Sequence, residues 1–164
     1  MTGILKVDTI QKNDGSTPTV GDLGLNESNA IIQQVLDTQT INIGLNSTSY
    51  TDAGYSITFT PKKSNSKILV ELKGGRPWMP ITTDQLDIAL IVDGDTSDIT
   101  NKRISSLYSS SSAVHMPMYG HWVYQNTGTN ARTYTIQWRT GGGGTQYLNT
   151  SPFPQSLVVT EIGG

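Results

Sequence analysis

Residues 55–72 constrain the fold of this chain more than any other stretch. Apolar side chains occupy every second position on both sides of a polar break, at Ile57 and Phe59 before it and at Ile68, Val70 and Leu72 after it. Alternation with a period of two is typical of β-strands that bury one face. Pro61 lacks a backbone N–H and ends the first strand, and residues 62–66 are hydrated or turn-forming. The pattern predicts a β-hairpin, which needs further strands to cover its apolar face.

The rest of the chain supplies such strands. Strand-forming patterns cover residues 4–10, 32–43, 84–92, 99–104, 114–125, 132–139, 145–148 and 156–162. Residues 27–37 fit a short helix as well as a strand, and residues 44–54 fit an ordered loop or a short edge strand. The stretch 84–92 is apolar on both faces, which is typical of a central strand. The predicted core comprises Ile57, Phe59, Ile68, Val70, Leu90, Ile136 and Val159.

Residues 109–125 combine a serine run with a strand-forming stretch that proline and glycine interrupt. Residues 109–112 are four serines with no driving force for burial, and they predict a mobile, exposed loop. Pro117 and Gly120 place the strand after it at a sheet edge or at a bulge. The candidate core residues of this strand are Met116, Met118, Trp122 and Tyr124.

Charge and cysteine content exclude several classes of partner. Only 15% of residues are charged, and the net charge of −2 includes no basic cluster that could follow a nucleic-acid backbone. The chain has no cysteine, so it has neither disulfides nor thiolate metal sites. The sequence has no apolar run of membrane-spanning length, and its opening residues lead us to expect no export signal. We therefore expect no nucleic-acid partner and no membrane insertion.

Patterns of catalysis or metal binding are not found. His115 and His121 are six residues apart, which in one strand is about 20 Å and too far to share a metal. The run Gly141–Gly144 lacks the Lys and Ser/Thr that would hold nucleotide phosphates. Asp93-Gly94-Asp95 resembles the start of a calcium loop, but the later glutamate is missing, so a turn is expected. We expect a protein that is not an enzyme and has no catalytic residues, cofactor or metal.

Two segments are candidates for binding. Ile4, Leu5, Val7 and Ile10 lie on a short strand that is followed by a tether rich in Gly and Pro. Their apolar side chains need a partner, which is another protein, a second copy, or the chain's own domain. Trp78 lies on a loop stiffened by prolines, and it either fills the end of a sandwich or offers a flat face to a ligand.

Parts of the sequence resemble virion structural and tail-fibre proteins of tailed bacteriophages. The opening LKVDTIQ, with DLGLN after a Gly/Ser/Thr/Pro segment, resembles their N-terminal segment. The stretches ITFTPKKSNSKILVEL, TYTIQWRTGGGGTQYLN and SLVVTEIGG resemble their C-terminal β-sandwich module. Residues 74–112 match less well, and no long shaft lies between the two parts.

The resemblance implies a homotrimeric fibre or knob. Residues 1–28 would be an arm that docks on tail, adaptor or capsid proteins, and residues 29–164 would be an antiparallel, jelly-roll-like β-sandwich. The protein would be part of the virion, on its tail or capsid surface, and would be assembled in the host cytoplasm. Trp78 and Tyr147 are the candidate residues for facing a host receptor, for which a surface glycan is one candidate. The alternatives are a carbohydrate-binding module and a capsid-surface appendage.

Overall fold

The computed structural model describes residues 11–12, 14–18, 29–40, 42–80, 83–92 and 102–164. This part of the chain is all β. We number its twelve strands in chain order. Eight of them are long: β1 (Ile31–Gln39), β3 (Thr51–Phe59), β4 (Lys67–Gly74), β6 (Asp84–Val92), β7 (Lys102–Ser109), β9 (Met118–Gln125), β10 (Arg132–Thr140) and β12 (Gln155–Ile162). Four are short: β2 (Ile43–Leu45), β5 (Trp78–Met79), β8 (Val114–His115) and β11 (Gln146–Asn149).

The eight long strands form two antiparallel sheets that face each other. The orders are β1-β12-β4-β9 and β3-β10-β6-β7. If the eight long strands are numbered 1 to 8 in chain order, the first sheet has the order 1-8-3-6 and the second has the order 2-7-4-5. This arrangement is that of a jelly roll, in which two Greek keys are closed into a sandwich. The predicted antiparallel β-sandwich is therefore confirmed.

The core lies between the two sheets and follows the predicted alternation. All seven predicted core residues are buried, and none is more than 4% exposed. Tyr55, Tyr134 and Trp138 add the largest side chains to the core. Phe59 meets Tyr134 edge to face, with ring centroids 6.3 Å apart. Such aromatic pairs add to the stabilisation that burial of their area provides.

The predicted hairpin over residues 55–72 is wrong. Among the described strands, β3 pairs with β10 alone, whereas β4 pairs with β12 and β9 in the opposite sheet. Residues 60–66 therefore cross from one sheet to the other. The apolar residues of β3 and β4 still cover one another, but they do so across the sandwich and not side by side in one sheet.

The connections between sheets divide the sandwich into two ends. At one end, four connections contain β2, β5, β8 and β11, which form a third sheet in the order β2-β11-β5-β8; we call this the aromatic end. At the other end, residues 60–66 and 126–131 connect the sheets. Asn29 meets Gly163 there, with its N–H donating to the Gly163 carbonyl over 2.9 Å. We call it the Glu161 end.

The prediction of a central strand over residues 84–92 is confirmed, because β6 lies between β10 and β7. The face of β6 that points away from the core is also covered, in part by polar side chains. Asp87 is 1% exposed and accepts hydrogen bonds from the Arg139 guanidinium at 3.0 and 3.1 Å. Burial on its own raises the pKa of Asp87, but hydrogen bonds from Gln85, Ser106, Arg139 and Arg103 outweigh this effect and lower it. The outer face of β6 thus carries a buried carboxylate that is paired with two arginine side chains.

Other predictions need correction. The strand expected over residues 32–43 is two strands, since β1 ends at Gln39 and β2 begins at Ile43. Ser109 belongs to β7 and is 2% exposed, so the serine run is not wholly exposed. Met116 is 43% exposed between β8 and β9, although Met118 is buried and β9 is an edge strand as expected.

Several predictions fall outside the described residues. They are the docking strand with Ile4, Leu5, Val7 and Ile10, the turn at Asp93-Gly94-Asp95, and the start of the strand over 99–104. In the described ranges, no helix is long and apolar enough to cross a membrane.

Candidate functional site

Three aromatic rings from three neighbouring strands stack face to face at the aromatic end. Tyr147 of β11 pairs with Trp78 of β5, which pairs with His115 of β8. The ring centroids of Tyr147 and Trp78 are 5.0 Å apart, and those of Trp78 and His115 are 5.5 Å apart. The planes differ by 19° and 14°. We call these three residues the aromatic row. The structure therefore brings together the two residues that the sequence selected, Trp78 and Tyr147.

The ring faces within the aromatic row are largely covered. Trp78 lies between the other two rings, so both faces of its indole are occupied. On the far side of Tyr147, a Cβ at Gly44 would lie 3.0 Å from its Cε1 atom. A larger residue at this position would press on the tyrosine ring, because the backbone approaches the ring so closely. Trp78 thus supports its neighbours and offers an edge, not a flat face, to a ligand.

A groove begins at the His115 end of the aromatic row. It has a volume of about 310 Å³ and is lined by Gly75, Arg76, His115, Met116, Pro117 and Phe153. We call it the Arg76 groove. The guanidinium carbon of Arg76 is 5.2 Å from the centre of the Phe153 ring, which is a cation–π contact. The groove thus combines apolar walls with one permanently charged group.

The backbone under Arg76 is fixed by the connection between β11 and β12. The Arg76 N–H donates to Oδ1 of Asn149 over 2.9 Å, and the Arg76 carbonyl accepts from the Thr150 hydroxyl over 2.8 Å. Asn149 is fully buried and also donates to the Phe153 carbonyl over 2.8 Å. One asparagine therefore positions both the cation and the aromatic ring of the groove. Binding sites that are organised in advance in this way lose less entropy when a ligand binds.

The glycine run is held in place by a buried carboxylate. Asp84 is 3% exposed and accepts hydrogen bonds from Gly142 N–H at 2.6 Å and from the Gln146 amide at 2.8 Å. Burial on its own raises the pKa of Asp84, but these hydrogen bonds, with those from Gln85 and Gly141, favour the carboxylate and lower it. Asp84 thus anchors the loop that leads into β11 and Tyr147.

The sequence pointed to part of this site only. It selected Trp78 and Tyr147, considered His115 only as a metal ligand, and missed Arg76 and Phe153. The motif Pro152-Phe153-Pro154 stiffens Phe153 in the same way that Pro77 and Pro80 stiffen Trp78, and this signal could have drawn attention to it. His115 and His121 lie on different strands, β8 and β9, rather than on one. No group of three or more metal-ligating side chains occurs in the described part of the chain.

Comparisons with known proteins found little. No protein-family model matches this sequence, and no curated protein sequence matches it. Among solved structures, the VP2 subviral particle of infectious bursal disease virus is similar over 82% of this chain, with 16% identity and a TM-score of 0.40. The match spans about a third of that protein, 34% of its chain. At this level of similarity, the likeness supports no conclusion about the role of this chain.

We expect Gly75→Ala to disturb the Arg76 groove. Gly75 has a φ of +72°, and a Cβ there would lie 2.9 Å from both Cβ and Nε2 of Gln155. The substitution should lower the free energy of unfolding by about 1–3 kcal/mol, because the left-handed backbone disfavours alanine and the side chains collide. Gly128→Ala is the control, since no atom lies within 4 Å of its added Cβ. Equal melting temperatures for the two variants would contradict the expectation.

Proposed function

We propose that this chain is a non-enzymatic structural protein of a bacteriophage virion. It forms a short homotrimeric fibre or knob that is held on the particle by residues 1–28 and takes part in host attachment. The resemblance of its opening segment and of its sandwich strands to virion proteins of tailed phages supports the role. A jelly roll, with its loops gathered at the two ends of a rigid sandwich, is a suitable scaffold for such a protein.

The position of the two ends carries the proposal. The chain enters the sandwich at Asn29, beside Gly163, at the Glu161 end. The aromatic row and the Arg76 groove lie at the opposite end, one strand length away. Strands of eight or nine residues span about 25–30 Å. An arm that holds the Glu161 end on the particle would therefore leave the aromatic end facing outwards, where a host surface could reach it.

Deleting residues 1–28 tests the docking arm. We expect residues 29–164 to give a cooperative β-type melt, because the long strands lie between Ile31 and Ile162. The truncated protein should fail to join particles, since it lacks Ile4, Leu5, Val7 and Ile10. Immunogold labelling of particles assembled with each version measures this, and also shows whether the label lies on tail or head. Normal incorporation of the truncated protein would remove the arm from the proposal.

Variants at the aromatic row test the other end. Particles that carry Trp78→Ala and Tyr147→Ala should still contain the protein but should adsorb to host cells less well. Leu36→Ala is a control, because this side chain is 60% exposed on the outer face of β1, away from the row. If the arm deletion abolished folding while the double variant adsorbed normally, both assignments would be wrong.

The Arg76 groove favours a second candidate function, that of a carbohydrate-binding module. Light scattering of the purified chain separates the two candidates. A trimer at micromolar concentration supports the fibre or knob, whereas a stable monomer counts against it and favours the module. A free-standing module also has no use for an apolar strand on a tether.

A further inference from the structure

Arg76 carries a charge that the described part of the chain does not neutralise. No ion pair and no side-chain hydrogen bond of Arg76 is found there, and its one side-chain contact of note is the Phe153 ring. The contrast with Arg139 is informative, since Arg139 binds the buried carboxylate of Asp87 and also lies over the Tyr50 ring. Both arginines contact an aromatic ring, but only Arg139 has an anion. Arg76 is exposed at the groove, so its guanidinium is open to an anionic group of a ligand.

The apolar walls of the Arg76 groove indicate what the rest of an anionic ligand should look like. Met116 is 43% exposed and Phe153 is 40% exposed, so both present apolar surface to a ligand. The volume of about 310 Å³ is near the lower limit of pockets that bind small molecules. A small ligand with one apolar face and one anionic group fits this combination. The C–H face of a pyranose ring is such a surface, and Phe153 and His115 are the aromatic rings that line the groove.

Arg76 is the one permanently charged residue among the described residues that line the groove, and a single positive charge matches a singly charged anion best. A carboxylate carries one negative charge and pairs with a guanidinium through two parallel hydrogen bonds. A phosphate monoester carries about −1.5 to −2 charges at pH 7 and would leave part of its charge uncompensated here. We propose that the Arg76 groove binds an acidic sugar, with the carboxylate on Arg76 and the ring against Phe153 and His115. This inference names the receptor chemistry for the attachment role proposed above and rests on it.

Binding to the purified full-length chain tests the inference. The probes are galacturonic acid, glucuronic acid and N-acetylneuraminic acid, and binding is measured by titration calorimetry and by saturation-transfer NMR. The methyl ester of galacturonic acid removes only the charge, acetate removes the ring, and glucose 6-phosphate replaces the carboxylate. At least one sugar acid should bind more tightly than its ester, than acetate and than the phosphate, with saturation transferred from the protein to the C–H protons of the sugar ring. Equal affinity for any of these controls, or no binding of any sugar acid at millimolar concentration, would overturn the proposal.

Two arginine variants make the test specific. Arg76→Gln should weaken binding of the sugar acid about 10- to 100-fold, because a charge-assisted hydrogen-bonded pair is lost. Arg103→Gln changes the charge equally, but its side chain is 55% exposed and contacts Asp87 at 3.4 Å on the outer face of β7. It should leave the affinity unchanged, and an equal loss in both variants would contradict the site. The two proposals can fail independently. If particles lack the protein while the purified chain still binds the sugar acid, the attachment role is wrong and the ligand assignment stands.

Discussion

Replacing Phe59 with alanine should lower the free energy of unfolding by about 3–5 kcal/mol. Phe59 is 2% exposed at the end of β3, and its ring meets Tyr134 edge to face across the β3–β10 pair. The substitution removes a large apolar side chain and leaves a cavity that two paired sheets cannot fill by collapsing. Urea denaturation followed by circular dichroism measures the change.

The second of the two phenylalanines in the chain, Phe153, provides a matched control, since the same substitution can be made at an exposed position. Phe153 is 40% exposed beside Arg76, so Phe153→Ala should lower the free energy of unfolding by about 1 kcal/mol or less. A denaturation midpoint that Phe59→Ala leaves unmoved, or moves no further than Phe153→Ala does, would remove β3 from the centre of the core.

The sequence predicted which residues share the core, but not which strands are neighbours. A period of two tells which side chains of a strand face the same way. Ile57 and Val70 would be apolar and in phase whether β3 and β4 pair in one sheet or face each other across a sandwich. The polar residues 60–66 are compatible with both connections. The hairpin prediction failed for this reason, although the predicted core residues of β3 and β4 are all buried.

The aromatic row could not have been predicted as a unit. β5 and β8 have two residues each, which is too short for any periodicity to show. Their register depends on the neighbouring long strands, which bring together Tyr147, Trp78 and His115 from three separate connections. Prolines around Trp78 and a glycine run before Tyr147 marked each residue as part of a stiff or tight loop. Nothing local marked them as partners.

The alternation of apolar and polar residues does not explain the position of Glu161. It alternates in phase with Leu157 and Val159, so it lies on the inner face of β12, where a carboxylate is unexpected. The structure explains its burial through the crossover. Both oxygens accept hydrogen bonds: from the N–H groups of Lys62 and Lys63 at 2.9 Å each, and from side chains of Ser66 and Gln33 at 2.7 Å each. Glu161 thus fixes the connection that carries the chain from one sheet to the other.

Glu161→Gln should therefore destabilise the protein by about 3 kcal/mol at neutral pH. Glutamine keeps the shape of the side chain but replaces one accepting oxygen with an NH₂ group, which would face N–H donors. Hydrogen bonds to charged groups contribute about 1.5–3 kcal/mol each, and buried donors left without an acceptor add a further cost. Glu71→Gln on the outer face of β4 is the control, since this carboxylate has only exposed partners in the described residues: the Tyr119 hydroxyl at 3.0 Å and Lys73 at 3.4 Å. It should change stability by about 1 kcal/mol or less.

The difference between wild type and Glu161→Gln should also depend on pH. Burial of Glu161 on its own raises its pKa, but hydrogen bonds from Lys62, Ser66, Lys63 and Gln33 outweigh this and hold the pKa below the ordinary value of 4.5. Since the unfolded chain takes up the proton first as pH falls, the carboxylate stabilises the fold fully above that value and loses its effect as pH falls through the native pKa. Asp84 and Asp87 also have lowered pKa values, but both proteins share them and their contribution cancels in the comparison. Denaturation curves recorded from pH 7 downwards should converge in acid; curves that stay equally far apart would show that the charge of Glu161 does not hold the crossover in place.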